Sequence, residues 1–529
     1  MHTMMKTMMK KSFKLLLILT LCVCSSALAD DGYLSGDYNY LPLEDGTALI
    51  VSYNNWISKR ISIPRQIDGY IVSAIGAKAF ASHDELTSVS IPNSIKIIGE
   101  SAFEECIEIT SIVIPDTVES IGDYAFSGCV KLKTINLPGG LNEICANPFC
   151  GCDKLTNIEI PSNHPYLELN GDALCTKDHK LIAYLNAKKS TTFTVPNHIQ
   201  TIGAGAFRNI TNIKVVTLPT TLLRIDADAF NNCTALTTIN LPDQLTEIGD
   251  RSFDCCYSLE SISLPYGLTK MGTNPFIRCI KLSNINIQID HPIFLLHEGM
   301  LYNKPEKRLI CSLTTNATTN ANNTMTVLDG TEIIGASAFM WCTNIEEILL
   351  PSSIKSIEKL AFYQCENIKS IILPDGLTDI GASAFYGCTG LTEVYIPDSV
   401  INMAEGIFGE CISLRKVILP IGLNYIWSYL FYDCMSLEEF NIPSGVTVIG
   451  EYAFYNCVGL KRISLPEGII RLDFRAFMDC SGVTDFVLPA SLAEIDEAFP
   501  WHNSIQYHVV SGSFAESYCQ ELGLNYKYD

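Results

Sequence analysis

Apolar residues recur along this chain with a period much longer than that of a helix or a strand. A unit of the form Ile-Gly-x-x-Ala-Phe-x-x-Cys-x-x-Leu-x-x-Ile-x-Leu-Pro returns from about Ile61 to Phe499, and its phenylalanine marks the spacing. Phe80, Phe103, Phe126 and Phe149 stand 23 residues apart, as do Phe207, Phe230, Phe253 and Phe276, and the seven anchors from Phe339 to Phe477, with Phe499 after 22 more. One such unit cannot bury its apolar face alone, so stacked copies must share a continuous core. The stretch Leu132-Lys133-Thr134-Ile135-Asn136-Leu137 ends in an alternation that predicts a short strand. Proline follows it, as at Pro138, and ends the ladder by withholding an N–H. Ala-Phe-x-x-Cys suits a short helix on the outer side. Glycine ahead of it, as at Gly99 and Gly122, suits a tight turn with positive φ; Cys145, Asp226 and Glu358 in the same slot mean that such a φ is not obligatory. The pattern predicts a repeat solenoid: a right-handed coil of 23-residue repeats, with a parallel β-sheet on one face and short helices or turns on the other.

Two gaps between anchors are longer, 58 residues from Phe149 to Phe207 and 63 from Phe276 to Phe339. Each holds a normal repeat and an insertion, and the insertions match one another. Asn163-His164-Pro165, Gly171-Asp172-Ala173-Leu174 and Lys180-Leu181-Ile182 correspond to Asp290-His291-Pro292, Glu298-Gly299-Met300-Leu301 and Arg308-Leu309-Ile310. The expected order is a leader (1–29), an N-terminal β cap (30–70), a repeat block (71–162), a hairpin insertion (163–197), a second block (198–289), a second hairpin insertion (290–329), a third block (330–500) and a C-terminal cap (501–529).

This unit resembles the BspA-type, or Treponema pallidum-type, leucine-rich repeat of bacterial and some protozoan surface proteins. Two flanks are similar as well: Asp45-Gly46-Thr47-Ala48-Leu49-Ile50 with Ile67-Asp68-Gly69-Tyr70 to the family's lead-in, and Ser511-Gly512-Ser513-Phe514-Ala515-Glu516 to its closing cap. The resemblance implies extracellular protein binding, adhesion in several members, and no catalytic residues to carry over. The sequence departs from members that bear wall-binding domains or sorting tails, which leaves its tethering open.

Residues 1–29 read as a secretory signal. Lys10 and Lys11 precede an apolar run from Phe13 to Val23, and Ala27-Leu28-Ala29 supplies the small residues Ala27 and Ala29 that a signal peptidase needs. The run is shorter than the ~20 residues of a membrane span, and no later stretch is long and apolar enough to be one. The expected location is therefore secreted or on the extracellular surface, as a monomer. A net charge of −21 opposes nucleic acid and anionic lipid as partners.

Thirteen of the 21 cysteines follow an anchor phenylalanine by three residues. Zinc sites need compact spacings such as Cys-x-x-Cys with a second pair, whereas a strict period of 23 tracks the coil and predicts a column of buried thiols acting as small apolar groups. Parallel Cβ vectors make neighbours in such a column poor disulfide partners. Six cysteines of the mature chain lie off the column, and Cys145 with Cys150 is the first choice for any bond. The nine histidines show no metal spacing, no phosphate-binding glycine loop is present, and no catalytic constellation or cofactor motif is evident.

In a coil of this kind the positions between inward residues face the exposed sheet. They are small and polar in the first blocks, for example Ser88 and Ser90 or Asn284 and Asn286. In the third block they change: Leu349, Ile372, Tyr395 and Ile418 recur at spacing 23, beside Glu347, Glu393 and Lys416. This apolar column rimmed by charge is the expected protein-binding face; a structural coat without a specific ligand is the rival reading. Alkylation of the denatured, unreduced protein should label most of the mature cysteines, and labelling of only one or two would refute the thiol column.

Overall fold

A computed structural model describes residues 32–185, 189–313, 323–498 and 504–528. Phe499 and the leader with Ala27 and Ala29 lie outside them. The chain divides into two compact units, Met1–Gly272 and Thr273–Asp529. Both are parallel β-solenoids of the leucine-rich-repeat kind with little helix.

Each coil carries two short strands, where the sequence pattern announced one. In the first unit Ser111–Ile112, Thr134–Asn136 and Asn157–Glu159 form one parallel ladder, with Thr134 opposite Ser111 and Asn157. Ile97–Ile98, Ser120–Ile121 and Glu143–Ile144 form another, again stepped by one repeat. Proline connects the two. It ends the first strand, and its carbonyl accepts the N–H three residues on, as in Leu141 N to Pro138 O (3.0 Å). The second strand holds only two residues and shows no alternation, which hid it from a reading based on period two.

The outer segment is not helical. In most coils two residues take positive φ, two before and two after the phenylalanine, as at Ser101 (50°) and Glu105 (56°), while the Asn-Pro-Phe coils keep only the second. These kinks turn alternate N–H groups toward the next coil: Ser101, Phe103 and Glu105 donate to Asp123, Ala125 and Ser127 at 2.8, 2.8 and 2.7 Å. A helix would direct those donors along its own axis. Among the described residues the one helix is Phe514–Glu521, capped by Ser513, whose Oγ accepts from Glu516 N (3.2 Å). Tyr526–Tyr528 then pairs with Gln506–Val509 as the last rung of the second unit.

Glycine before the turn serves close approach, and positive φ is not involved. A Cβ on Gly122 would lie 2.6 Å from Glu100 N, and one on Gly381 would lie 2.4 Å from Lys359 N. Both glycines have ordinary φ, so the slot is chosen by backbone contact with the neighbouring coil.

The core is columnar. Anchor phenylalanines stack nearly parallel, with centroids 5.1 Å apart for Phe80 and Phe103 and 5.0 Å for Phe362 and Phe385. Beside them the ladder thiols within a run of coils donate to the anchor carbonyl of the previous coil: Cys106 to Phe80 O (3.1 Å), Cys365 to Phe339 O (3.0 Å), Cys480 to Phe454 O (3.0 Å). Such a column gains dry packing, and each weak S–H donor in these bonds gains a carbonyl acceptor. No disulfide joins the described cysteines. The bond between Cys145 and Cys150 is not made: Cys145 occupies the glycine slot after its strand, while Cys150 lies beyond Phe149 and its Sγ reaches Gly205 O (3.5 Å).

Each insertion is a three-stranded antiparallel meander. Leu167–Asn170, Ala173–Thr176 and Lys180–Tyr184 make the first, and Phe294–His297, Met300–Asn303 and Arg308–Ser312 the second. The third strand becomes the first rung of the next parallel ladder, pairing with Thr201–Ile202 and Ile333–Ile334 respectively. Tyr33–Ser35, Tyr38–Pro42 and Thr47–Tyr53 do the same at the start of the chain. The equivalence extends to single bonds: Tyr53, Tyr184 and Ser312 donate their N–H to Ala79, Ala206 and Ala338 at 3.0, 2.9 and 2.8 Å. The insertions are therefore further copies of the starting cap.

The coil before each insertion replaces Ala-Phe by Pro-Phe and gains an asparagine: Asn147-Pro148-Phe149 and Asn274-Pro275-Phe276. Asn147 is buried. Its Nδ2 donates to Gly205 O (2.9 Å) on the coil after the insertion and its Oδ1 accepts from Phe149 N (2.9 Å). Asn274 repeats this with Ser337 O (2.7 Å) and Phe276 N (3.1 Å). Histidine seats the meander itself: the Nδ1 of buried His164 accepts from Tyr166 N and Leu167 N at 3.1 and 3.0 Å, which leaves Nε2–H to donate to Pro138 O (2.9 Å).

Two outcomes follow for stability. Asn147→Ala strips partners from a buried carbonyl and a buried N–H, so urea unfolding should show a loss of about 2–4 kcal/mol. Burial raises the ladder thiols from 9.0 to about 12 at Cys106, Cys388 and Cys480. The folded state thus holds protons that the unfolded state releases, and the thiol contribution, intact below about pH 9, declines as pH rises toward about 12. The urea midpoint should fall across that window, less steeply in a variant with several ladder cysteines changed to alanine.

Candidate binding surface

The sheet of the third block positions the apolar column. Thr324–Thr326, Glu347–Leu349 and Ser370–Ile371 form one three-stranded run, and Glu393–Tyr395, Lys416–Ile418 and Glu439–Phe440 another. Strand alternation sends Ile348, Ile371, Val394 and Val417 into the core. The residues after them point outward: Leu349, Ile372, Tyr395 and Ile418 are 42, 76, 49 and 46% exposed, high values for side chains of this size.

Register brings them into line. Leu349 lies opposite Thr326, and Tyr395 opposite Ile418. Ile348 pairs with Ile371, so Ile372 follows Leu349 in the stack. It stands where the hydrogen-bonded ladder lapses between Ile371 and Glu393, which accounts for its greater exposure. Four rungs at ~4.8 Å span about 15 Å.

The neighbouring row carries charge. Glu347 lies opposite Ser370 and Glu393 opposite Lys416, and the Glu347 carboxylate accepts from Thr324 Oγ1 (3.0 Å). Outside this row Lys369 donates to Glu346, which also accepts from Asn323 (3.1 Å). The Lys369 ammonium, helped by the Asn323 amide, holds the Glu346 carboxyl below its ordinary pKa.

A second, half-buried feature was missed in the sequence. On the outer turns of the same unit Tyr363 stacks on Tyr386 (5.4 Å), Tyr432 on Tyr455 (5.1 Å) and Tyr429 on Tyr452 (5.1 Å). Tyr386 donates to Glu410 (2.8 Å), and a hydrogen bond to Asp479 with partial burial pushes Tyr455 up to about 12. The signal was available: the residue after the anchor phenylalanine is tyrosine at 363, 386, 432 and 455.

Among the described residues no group of three or more His, Cys, Asp or Glu side chains is placed to hold a metal ion, and no helix is long and apolar enough to cross a membrane.

Stacked parallel strands, inward leucine and isoleucine and an exposed sheet define a leucine-rich-repeat protein. The family described as "BspA type Leucine rich repeat region (6 copies)" matches residues 73–172, 182–294, 332–461 and 424–515, and the chain belongs to it. Its structure is similar to a leucine-rich repeat protein from Bacteroides ovatus, at 23% identity and TM-score 0.34, over 94% of this chain and 99% of that one. It is similar also to one from Eubacterium ventriosum, at 19% identity and TM-score 0.43, over 89% and 98%. A leucine rich cell surface protein from Faecalibacterium prausnitzii shares 22% identity at TM-score 0.26, over 89% and 96%. No curated protein matches the sequence.

Proposed function

We propose that this is a secreted or cell-surface binding protein that attaches to proteins of a host or neighbouring cell, and that it acts without catalysis. The observation that carries this reading is the exposed column Leu349, Ile372, Tyr395 and Ile418 beside the charged row Glu347, Glu393 and Lys416. Such a strip gains by burial under a partner at about 25 cal/mol per Å², and an aromatic flanked by aliphatics is the composition of an interface centre. The net charge of −21 and the leader over residues 1–29 support export and a protein partner.

The test is saturable binding of the full chain to immobilised matrix proteins and to host-cell surface extracts. It is run beside an Ile372→Asp/Tyr395→Ala variant with an unchanged circular dichroism spectrum. The variant should bind at least about 30-fold more weakly, the equivalent of two hot-spot residues at ~1 kcal/mol each. A variant that keeps every partner at full affinity would remove the column from the account, and the absence of saturable binding by either chain would favour a passive coat.

A further inference from the structure

The first insertion interrupts the leucine-rich-repeat sheet and leaves two strands with open edges. Asn157–Glu159 pairs with Thr134–Asn136 on one side and ends its sheet on the other. The next sheet strand, Thr192–Thr194, pairs forward with Val215–Thr217. Leu167–Asn170 of the meander pairs with Ala173–Thr176 alone and is likewise the edge of its sheet. Residues of both edge strands, Ile158 and Glu159 with Leu167, Glu168 and Leu169, line one open cavity of about 730 Å³ together with Ile160, the residue after the first strand.

The backbone of the first edge is oriented toward a further strand. Asn157 N donates to Lys133 O (3.2 Å) and Glu159 O accepts from Leu137 N (2.8 Å). Alternation therefore turns Ile158 and Ile160 away from that neighbour. In other coils the position of Ile160 donates to the following strand, as Leu137 does to Glu159 and Val195 to Thr217 (3.0 Å). The coil that would supply the acceptor is displaced by the meander. Open edges of this kind are the docking template for an extended peptide.

Charge selects the occupant. Asp116, Glu159 and Glu168 stand in the lining, Glu168 2.9 Å from His198 Nε2 and Glu159 accepting from Asn157 Nδ2 (3.1 Å), with one ammonium, Lys177, whose Nζ is already given to His164 O (2.6 Å). Below them Leu137, Ile158 and Leu167 are buried and apolar. We propose that this notch receives one extended peptide strand carrying alternate lysine or arginine residues, its backbone paired to Ile158 and Ile160 and its cations set against the three carboxylates. The site lies in the first unit, apart from the column of the third block, and does not rest on the function proposed for that column.

The experiment uses the full chain at 150 mM salt with fluorescein-labelled Lys-Val-Lys-Val-Lys-Val, read by anisotropy. The comparison peptides are one of equal charge with alternate amides N-methylated, and Glu-Val-Glu-Val-Glu-Val. Saturable binding of the first is expected, at least tenfold weaker for both others, with slowed hydrogen exchange at the Ile158 and Ile160 amides. Glu159→Lys/Glu168→Lys should weaken it tenfold or more, with Glu159→Gln/Glu168→Gln as the milder pair should the first fail to fold, while Ile372→Asp/Tyr395→Ala leaves it unchanged. Equal affinity for the N-methylated peptide, protection elsewhere with none at Ile158 and Ile160, or no binding would each overturn the proposal.

Discussion

Every coil of this protein depends on its neighbours for the partners of its backbone. In a compact domain most peptide groups are satisfied within a helix or between strands of one sheet. Here both strands and the outer turns direct donors along the stack, so that Ser101, Phe103 and Glu105 are satisfied only because Asp123, Ala125 and Ser127 lie one coil on. Buried peptide groups must be paired, so the repeat length of 23 is fixed by the requirement that equivalent atoms superpose. The phenylalanine stack, the thiol-to-carbonyl contacts and the glycines where a Cβ would fall 2.4–2.7 Å from backbone atoms of the adjacent coil are consequences of that superposition.

The same constraint explains how the chain accommodates interruptions. A meander ends in a strand that can serve as a first rung, and an asparagine side chain replaces the peptide contacts that the excursion removes. Asn147 and Asn274 bridge to the coil beyond the insertion, while His164 binds the entering turn through a single tautomer. Inward positions are held by packing and stacking positions by hydrogen bonds, which leaves the outward positions of each strand free to vary. That freedom is where Ser88 and Ser90 can give way to Glu393 and Tyr395 without cost to the fold.

Much of this was legible in the sequence. Period, core columns and the outward direction of Leu349, Ile372, Tyr395 and Ile418 all follow from spacing and alternation. What escaped was whatever depends on contact between coils. The second strand is too short to alternate, as Ser120–Ile121 illustrates. The outer turn was read as helix because Ala-Phe-x-x-Cys has helical composition, whereas the positive φ at residues as unlike as Ser101, Tyr124 and Leu360 is imposed by stacking and leaves no single residue signature. Glycine was recognised correctly and explained wrongly, since the sequence does not reveal the backbone atom that a Cβ would strike. The Asn-Pro-Phe triplets were visible and became meaningful only once a bond across 58 residues was seen.

Three starting meanders, rather than one, alter how damage would travel through such a molecule. A stack nucleated at a single end resembles a zip: once opened, each freed coil exposes the next. Lys180–Tyr184 and Arg308–Ser312 each begin a ladder afresh, so fraying that starts in one run of coils meets a rung already secured from its own side by two antiparallel strands. The insertions thus act as firebreaks, confining proteolytic nicking or local melting to the block in which it begins.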